Sequence, residues 1–400
     1  MKSWLAKTLL WSAIALVVFA GLWMLLDSKW SGEADARRTS QTVMARELLP
    51  PLAPAEDAGP ECSAALGRLT SWMLRGAASF QLDQAEKFLG EDRSRPECWS
   101  EEQLARFALC DAPEVQGSLD EIHAALMRRR CRLFEVFETG GGMHPIPGWT
   151  LAFPQLLERE CYREFLHGNR ARAVEHLESA FALAAHAREV PTVEACEQSD
   201  YCLLGAVDAL HFLAEQGSLD ATLAVRIQPW LANIHPEADW LRAIDGERAL
   251  FGAYAWAGLR EGRVPNGVGY PADRFGLLYS KLLRPWRAFE ELKYDHVLDE
   301  KRALVEQHPW ATLKRPEILP IFPIARELTT DTELYGKPRL HVRHARDLAE
   351  IALRLAIERG ESGSYPNALG DTPREPLTNE LYSYARAGEG YTLSNWSIPR

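Results

Sequence analysis

Four hundred residues can build one extended domain or two compact ones, and a composition that is 46% hydrophobic, 25% charged and 10% aromatic, with thirteen Trp, excludes wholesale disorder. The formal net charge of −11 repels phosphate backbones, so nucleic-acid binding would need a concentrated basic patch. The best candidate, Arg128-Arg129-Arg130-Cys131-Arg132, lies between "EIHAALM" and "LFEVFE" and reads as a solvated helical face, so no nucleic-acid partner is expected.

The first element is apolar. Thr8 to Leu26 carries no charge over nineteen residues. As a helix it would be about 28 Å long, against the roughly 30 Å hydrocarbon core of a bilayer. Lys2 and Lys7 precede it, Asp27 follows, and Trp4, Trp23 and Trp30 stand where interfacial aromatics lie. The positive flank keeps the N-terminus in the cytoplasm and sends the rest of the chain across. The competing reading is a cleaved signal peptide, whose apolar core is shorter and ends at an Ala-x-Ala-like site; here "DSKWSGEADARR" follows instead. Residues 1–30 are therefore expected to be an uncleaved signal anchor in a bacterial inner membrane, with residues 8–26 in the bilayer and the bulk of the chain periplasmic.

Residues 31–60 read as a semi-extended tether, on account of the proline-rich "LLPPLAPAEDAGPE" at 48–61. Seven cysteines follow (Cys62, Cys98, Cys110, Cys131, Cys161, Cys196, Cys202), which would face an oxidising compartment. The odd count leaves at least one thiol free, and no Cys-x-x-Cys spacing marks a zinc or redox site. For most of them, small buried hydrophobes is the reading preferred.

Residues 61–335 show helical periodicity with short punctuation. Ser100-Glu101-Glu102-Gln103 and Ser118-Leu119-Asp120-Glu121 fit the capping box. "QGSLD" occurs at 116–120 and 216–220; a Gly that ends one helix and a Ser that caps the next explains it without a duplicated unit. Leu156, Leu157, Cys161, Phe165 and Leu166 form one apolar stripe. A Gly-Asn turn leads to a second, Ala173, Leu177, Ala180, Phe181 and Ala184. Such a pair packs as a tetratricopeptide-type hairpin, but the 34-residue consensus is not met, so the expectation is an irregular helical-hairpin array. Further helices are expected near 200–215, 219–232, 237–261 and 274–307.

The tail, 336–400, changes character. Pro338 opens a helix to about Arg359, stopped by Gly360, and "LYSYAR" (381–386) and "YTLSNW" (391–396) pair as a hairpin across Ala387–Gly390. A hairpin is marginal alone and is expected to pack on its own preceding helix. The fold class is thus mainly α: a transmembrane helix, an irregular helical-hairpin array, and a small helix plus β-hairpin.

No motif carries a chemistry. The triple glycine in "ETGGGMHPIPGW" lacks the Lys-Ser/Thr of a phosphate loop. His341 and His344 share a helix face without a carboxylate-His pattern to complete a metal site, and read as solvated. Glu178-Ser179-Ala180-Phe181 looks like the Glu-Ser-x-Phe around the acid of lytic transglycosylases. It sits mid-helix, the downstream Gly-Leu-Met-Gln is missing, and core packing of Ala180 and Phe181 explains the letters. No catalytic residue, cofactor or metal is expected.

The ending, "LAEIALRLAIERGESGSYPNAL…PREPLTNELYSYARAGEGYTLSNWS", resembles a C-terminal module of membrane-anchored helical proteins of planctomycetes and similar bacteria. It is also similar to the soluble part of type II secretion pseudopilins. Ser364-Tyr365-Pro366, Leu369, Pro373–Leu377 and Leu381–Tyr384 carry that pattern. "CRLFEVFE", the hairpin at 170–188, Pro191-Thr192 and "LRAIDGERALF" fit the same group, which has no established activity to transfer. The prepilin cleavage site and the acidic calcium-binding loop of pseudopilins are missing. The resulting expectation is a non-enzymatic, membrane-anchored binding or scaffolding protein that takes a protein partner through a helical groove. An envelope enzyme acting on peptidoglycan, or an accessory of a secretion or pilus-like apparatus, is the alternative.

Overall fold

The computed structural model describes residues 2–53, 55–76, 111–135, 144–145, 152–261, 284–309, 336–370, 372–388, 390–394 and 396–398. They are mainly helical. The first helix, α1 (Lys2–Leu48), runs unbroken for 47 residues. From Trp11 it is apolar enough to cross a membrane, with a mean hydropathy of 1.7 and none of that window buried. Trp11, Leu16, Val17, Val18, Phe19, Leu22, Met24 and Leu25 are all exposed, as side chains meant for lipid would be.

Helix α2 (Gly59–Gly76) begins after the proline run, and α3 (Pro113–Leu126) starts on a proline, whose missing N–H costs nothing in the first turn. A short antiparallel pair follows, β1 (Phe134–Glu135) with β2 (His144–Pro145), in register Phe134 to Pro145. Then come α4 (Ala152–Leu166), α5 (Arg170–Ala187), α6 (Val193–Glu215) and α7 (Ala221–Leu231). Helix α8 (Pro236–Gly246) continues through one wider π turn, Glu247–Gly252, into α9 (Ala253–Arg260). Helices α10 (Arg284–Gln307) and α11 (Gly336–Ser362) precede β3 (Tyr384–Ala387), β4 (Gly390–Leu393) and β5 (Trp396–Ile398), an antiparallel sheet in that order.

The described residues gather into two compact units, one of residues 2–50 and 244–309, the other of 51–135, 144–243 and 336–398. The chain passes from the first unit back to the second near the expected boundary at 335/336, but the C-terminal module is not a unit of its own: it is grouped with residues 51–135 and 144–243.

In the first unit, the second half of α1 packs along α10 and the π turn. Residues 31–48, expected as part of a tether, are helical. The seam explains why no apolar period gave them away. Trp30 stacks on Phe289 at 4.6 Å, and polar contacts close the seam beyond it. Arg38 reaches Glu291 at 3.1 Å, and Gln41 donates to both oxygens of Asp295 at 2.9 and 3.0 Å. Glu291 also takes Arg260 at 3.2 Å, and Asp27 pairs with Arg284 at 3.3 Å. Tyr294, fully buried, donates to the Glu247 carbonyl at 3.3 Å and lies against Gly252, where a Cβ would stand 2.5 Å from its ring. The π turn needs glycine there for contact, not for backbone freedom.

In the second unit α4 and α5 form the expected hairpin, with Gly168 in the left-handed conformation at φ 80°. Helix α6 packs on both. Thr192 caps α6 by accepting from the Ala195 amide, and Asp220 caps α7 by accepting from Leu223. The two QGSLD copies therefore differ. Gly217 ends α6 in the left-handed region at φ 68°, but the cap of the next helix is Asp220 rather than Ser218. In the first copy Ser118 is inside α3, its hydroxyl donating back to the Glu114 carbonyl, so no capping box exists there. Ser100 lies outside the described residues.

Helix α11 passes Gly360 and ends at Gly363, φ 78°. Gly360 serves close packing: a Cβ there would meet the Ala221 methyl at 2.6 Å. The Ser-Tyr-Pro turn after α11 delivers Tyr365 to the sheet, edge-on to Tyr391 at 4.7 Å, with the Arg359 guanidinium 4.9 Å above its ring. Tyr384 donates to the Pro366 carbonyl at 2.6 Å. Strand β5 lies against α6, so the sheet does not rest on α11 alone.

Candidate functional site

A dense polar construction of the second unit stands where the C-terminus of α5 meets α6, α8 and the segment after α3. Arg188, directly after α5, is buried at 4% exposure. It donates to the Ser199 hydroxyl at 2.6 Å, to Asp239 at 2.7 Å and to Asp200. Burial alone would favour losing its proton, but Asp200 and Asp239 hold its charge and raise its pKa. Asp200 also accepts from the Trp240 indole at 3.2 Å, and Trp240 packs with Val193, Cys196 and Ala243. The Arg339 guanidinium of α11 lies 5.5 Å from the Trp240 ring; burial lowers it to about 10.

Glu189 extends the network. Burial pushes its carboxyl up, but the His186 ring at 2.6 Å, the Cys131 amide at 3.3 Å and Arg130 at 3.4 Å outweigh it and hold the pKa below the usual range. His186 meets the Leu126 carbonyl through its other nitrogen at 2.8 Å and lies 5.3 Å from the Trp230 ring. Arg242 donates to the carbonyls of Arg188 at 2.9 Å and Glu189 at 3.4 Å.

An open cleft of about 360 Å³ lies over this network. Arg129, Arg130, Arg188 and Arg242 line it against two carboxylates, Glu189 and Asp239, with Trp230 and Asn233 on one wall. Arg129 and Asn233 are exposed at the opening and Trp230 is half-buried. The cleft therefore offers surplus positive charge, an aromatic face and an amide, which suits a carboxylate or phosphate group attached to something flat or apolar. The sequence reading of the arginine run needs correcting. Helix α3 ends at Leu126, so Arg128 and Arg129 lie in a bend and Arg130–Arg132 in the irregular stretch that leads to β1, rather than on a helical face. Arg128 is held by Glu61 and the Ala55 carbonyl and Arg130 by Glu189, leaving Arg129 pointing out.

The other singled-out residues are placed elsewhere. Glu178 is 8% exposed and paired with Arg226 of α7, while Ala180 and Phe181 are buried in the core. Ser179 bridges His123 at 2.8 Å and the Glu175 carbonyl at 2.9 Å. His341 is exposed, but His344 is not a solvated residue: it pairs with Glu375 at 3.1 Å and faces the Tyr382 hydroxyl at 3.3 Å, which in turn donates to buried Asp347 at 3.2 Å. It docks the C-terminal module. Gly140–Gly142 lie outside the described residues. Among the described residues no group of three His, Cys, Asp or Glu side chains is placed to hold a metal ion. No family model matches this chain, and neither a curated protein nor a solved structure is found to be similar to it.

Proposed function

We propose that this is a membrane-anchored, extracytoplasmic binding protein whose arginine-lined cleft takes an acidic segment of an envelope partner. The observation that carries the reading is the cleft itself: four arginines, two carboxylates and an aromatic wall, in a chain whose net charge is −11. A surplus of arginine over an open, tryptophan-walled depression recognises planar anionic groups, which arginine meets in bidentate fashion. The anchor reading is supported by Asp27 and Trp30, which follow the apolar run directly and already take part in the packing against α10. Cleavage near residue 30 would remove those contacts.

The enzyme alternative finds less support at Glu178, because its carboxylate is committed to Arg226. The secretion-apparatus reading rests only on the tail, through the sequence resemblance of Ser364–Pro366 and Leu381–Tyr384 to the pseudopilin pattern.

The test places a photo-crosslinking residue at Arg129 and, separately, at exposed Val225, in full-length protein in cells, and identifies the adducts by mass spectrometry. The reading expects position 129 to capture a protein at an Asp/Glu-rich segment, with the capture lost when Asn233→Glu is added. Adducts that are the same from both positions, or a captured segment without acidic residues, refute it. Secretion or pilus components among the captured proteins would give the tail its role.

A further inference from the structure

We propose that Cys62 and Cys131 are joined by a disulfide in the mature protein, stapling the first turns of α2 to the irregular stretch behind α3. The backbone already brings the two together. The Ala58 amide donates to the Arg130 carbonyl at 3.0 Å, and the Arg132 amide donates to the Asp57 carboxylate at 2.9 Å. The chains approach so closely that a Cβ on Gly59 would stand 2.1 Å from the Arg132 carbonyl oxygen. Residues 130–132 thus pass across residues 57–59. One helical turn further on, Cys62, whose amide donates to Ala58, meets Cys131. Both side chains are fully buried, and the Cys62 thiol is near enough to raise the pKa of the Cys131 thiol. The Cys131 amide is fixed by Glu189, so its Cβ direction is set from two sides.

Two buried thiols held this way have no polar role of their own, and an oxidising compartment would convert them. The inference rests on the extracytoplasmic placement proposed above. In the reaction one cysteine, as thiolate, attacks a sulfur of an oxidised dithiol-type donor and releases one donor thiolate. The second cysteine, as thiolate, then attacks the mixed disulfide and releases the other. The protein loses two protons and two electrons, and the donor disulfide gains them as a dithiol. The neighbouring Cys62 thiol, and burial after it, push the Cys131 thiol well above its usual range once the core has closed, so the bridge forms while the chain is still folding.

Full-length protein is extracted from membranes with free thiols blocked by N-ethylmaleimide, digested without reductant, and mapped by mass spectrometry. The same protein is also unfolded, reduced and refolded in a glutathione redox buffer. The proposal expects one linked peptide pair, Cys62 with Cys131, in both samples, absent after reduction, with Cys161, Cys196 and Cys202 recovered as thiols. Cys62→Ser and Cys131→Ser should each free the other thiol for blocking. A pair formed only on refolding overturns the native bridge by refuting the oxidising placement, leaving the geometry intact. Unlinked Cys62 and Cys131 in both samples, or either one bridged to Cys98 or Cys110, overturns the geometry.

Discussion

Replacing Asp295 by Asn is expected to change the pH dependence of the first unit in a calculable way. Asp295 lies on α10 at 1% exposure under α1, and burial, only partly offset by Arg248 and Arg37, raises its pKa from 3.8 to about 6. A folded-state pKa above the unfolded value means that the folded form binds the proton more tightly. The contribution is then fully favourable below the unfolded value and is lost as pH rises through the folded one. A shift of this size costs about 3 kcal/mol at neutral pH, and roughly half of that is relieved at pH 5. Asparagine removes the charge, and its amide oxygen can still accept from Gln41. The absolute stability of the variant also reflects the ion pair lost with Arg37, so the slope is the informative quantity. Hydrogen exchange of full-length protein in detergent, read on peptides covering 37–45 and 290–298 and corrected for intrinsic rates, reports local opening. Between pH 5 and 7.5 the variant should gain about 1.5 kcal/mol relative to the parent. A difference that stays constant with pH, or one that turns against the variant as pH rises, would mean that the arginines outweigh burial and that the argument is wrong.

His176 should show the opposite sign in the second unit. Burial lowers it from 6.5 to about 3, so stability is lost as pH falls below 6.5, by about 2 kcal/mol at pH 5, and His176→Leu should flatten that acid limb in exchange of α5 peptides. Gly252→Ala drives a methyl into the buried Tyr294 ring and should cost about 1–3 kcal/mol, measured as protection lost around the π turn; an unchanged value would show that the ring yields freely. Reducing the Cys62–Cys131 bridge opens a loop of roughly 70 residues and should cost about 4 kcal/mol, read by urea unfolding with and without reductant. Glu178→Gln should cost about 1 kcal/mol through loss of the Arg226 pair and leave the adducts captured from Arg129 unchanged; a variant as stable as the parent that loses those adducts would reopen the catalytic reading.

What the sequence disclosed depended on how far each signal reached along the chain. The apolar stretch 8–26, the α4–α5 hairpin around Gly168 and the tyrosine-rich end are written in neighbouring residues and were legible. Residues 31–48 were not, because their buried side of α1 is made with Ser31, Ala34, Arg38 and Gln41, and a seam closed by ion pairs leaves no apolar period to find. The false capping box at Ser118 shows the limit of a four-letter pattern: Pro113, five residues earlier, already starts the helix. The cleft draws on positions 129–130, 186–189, 230–233 and 239–242, which only the folded chain assembles. The arginine run was visible as letters, but its exit from the helix was not.

An unbroken α1 also bears on how the protein meets other molecules. With residues 8–26 across a bilayer, about 22 more residues, roughly 33 Å of helix, would stand beyond it. A flexible leash of equal length would let its cargo sweep an r.m.s. distance of about 25 Å in every direction. Clamped by α10, the same residues would act as a post, and the unit built on them would keep a set height and heading. Under the proposed anchoring, encounters with membrane neighbours would then be nearly all-or-none: a partner whose epitope lay at that height would meet a high effective concentration, while one a nanometre higher or lower would meet almost none.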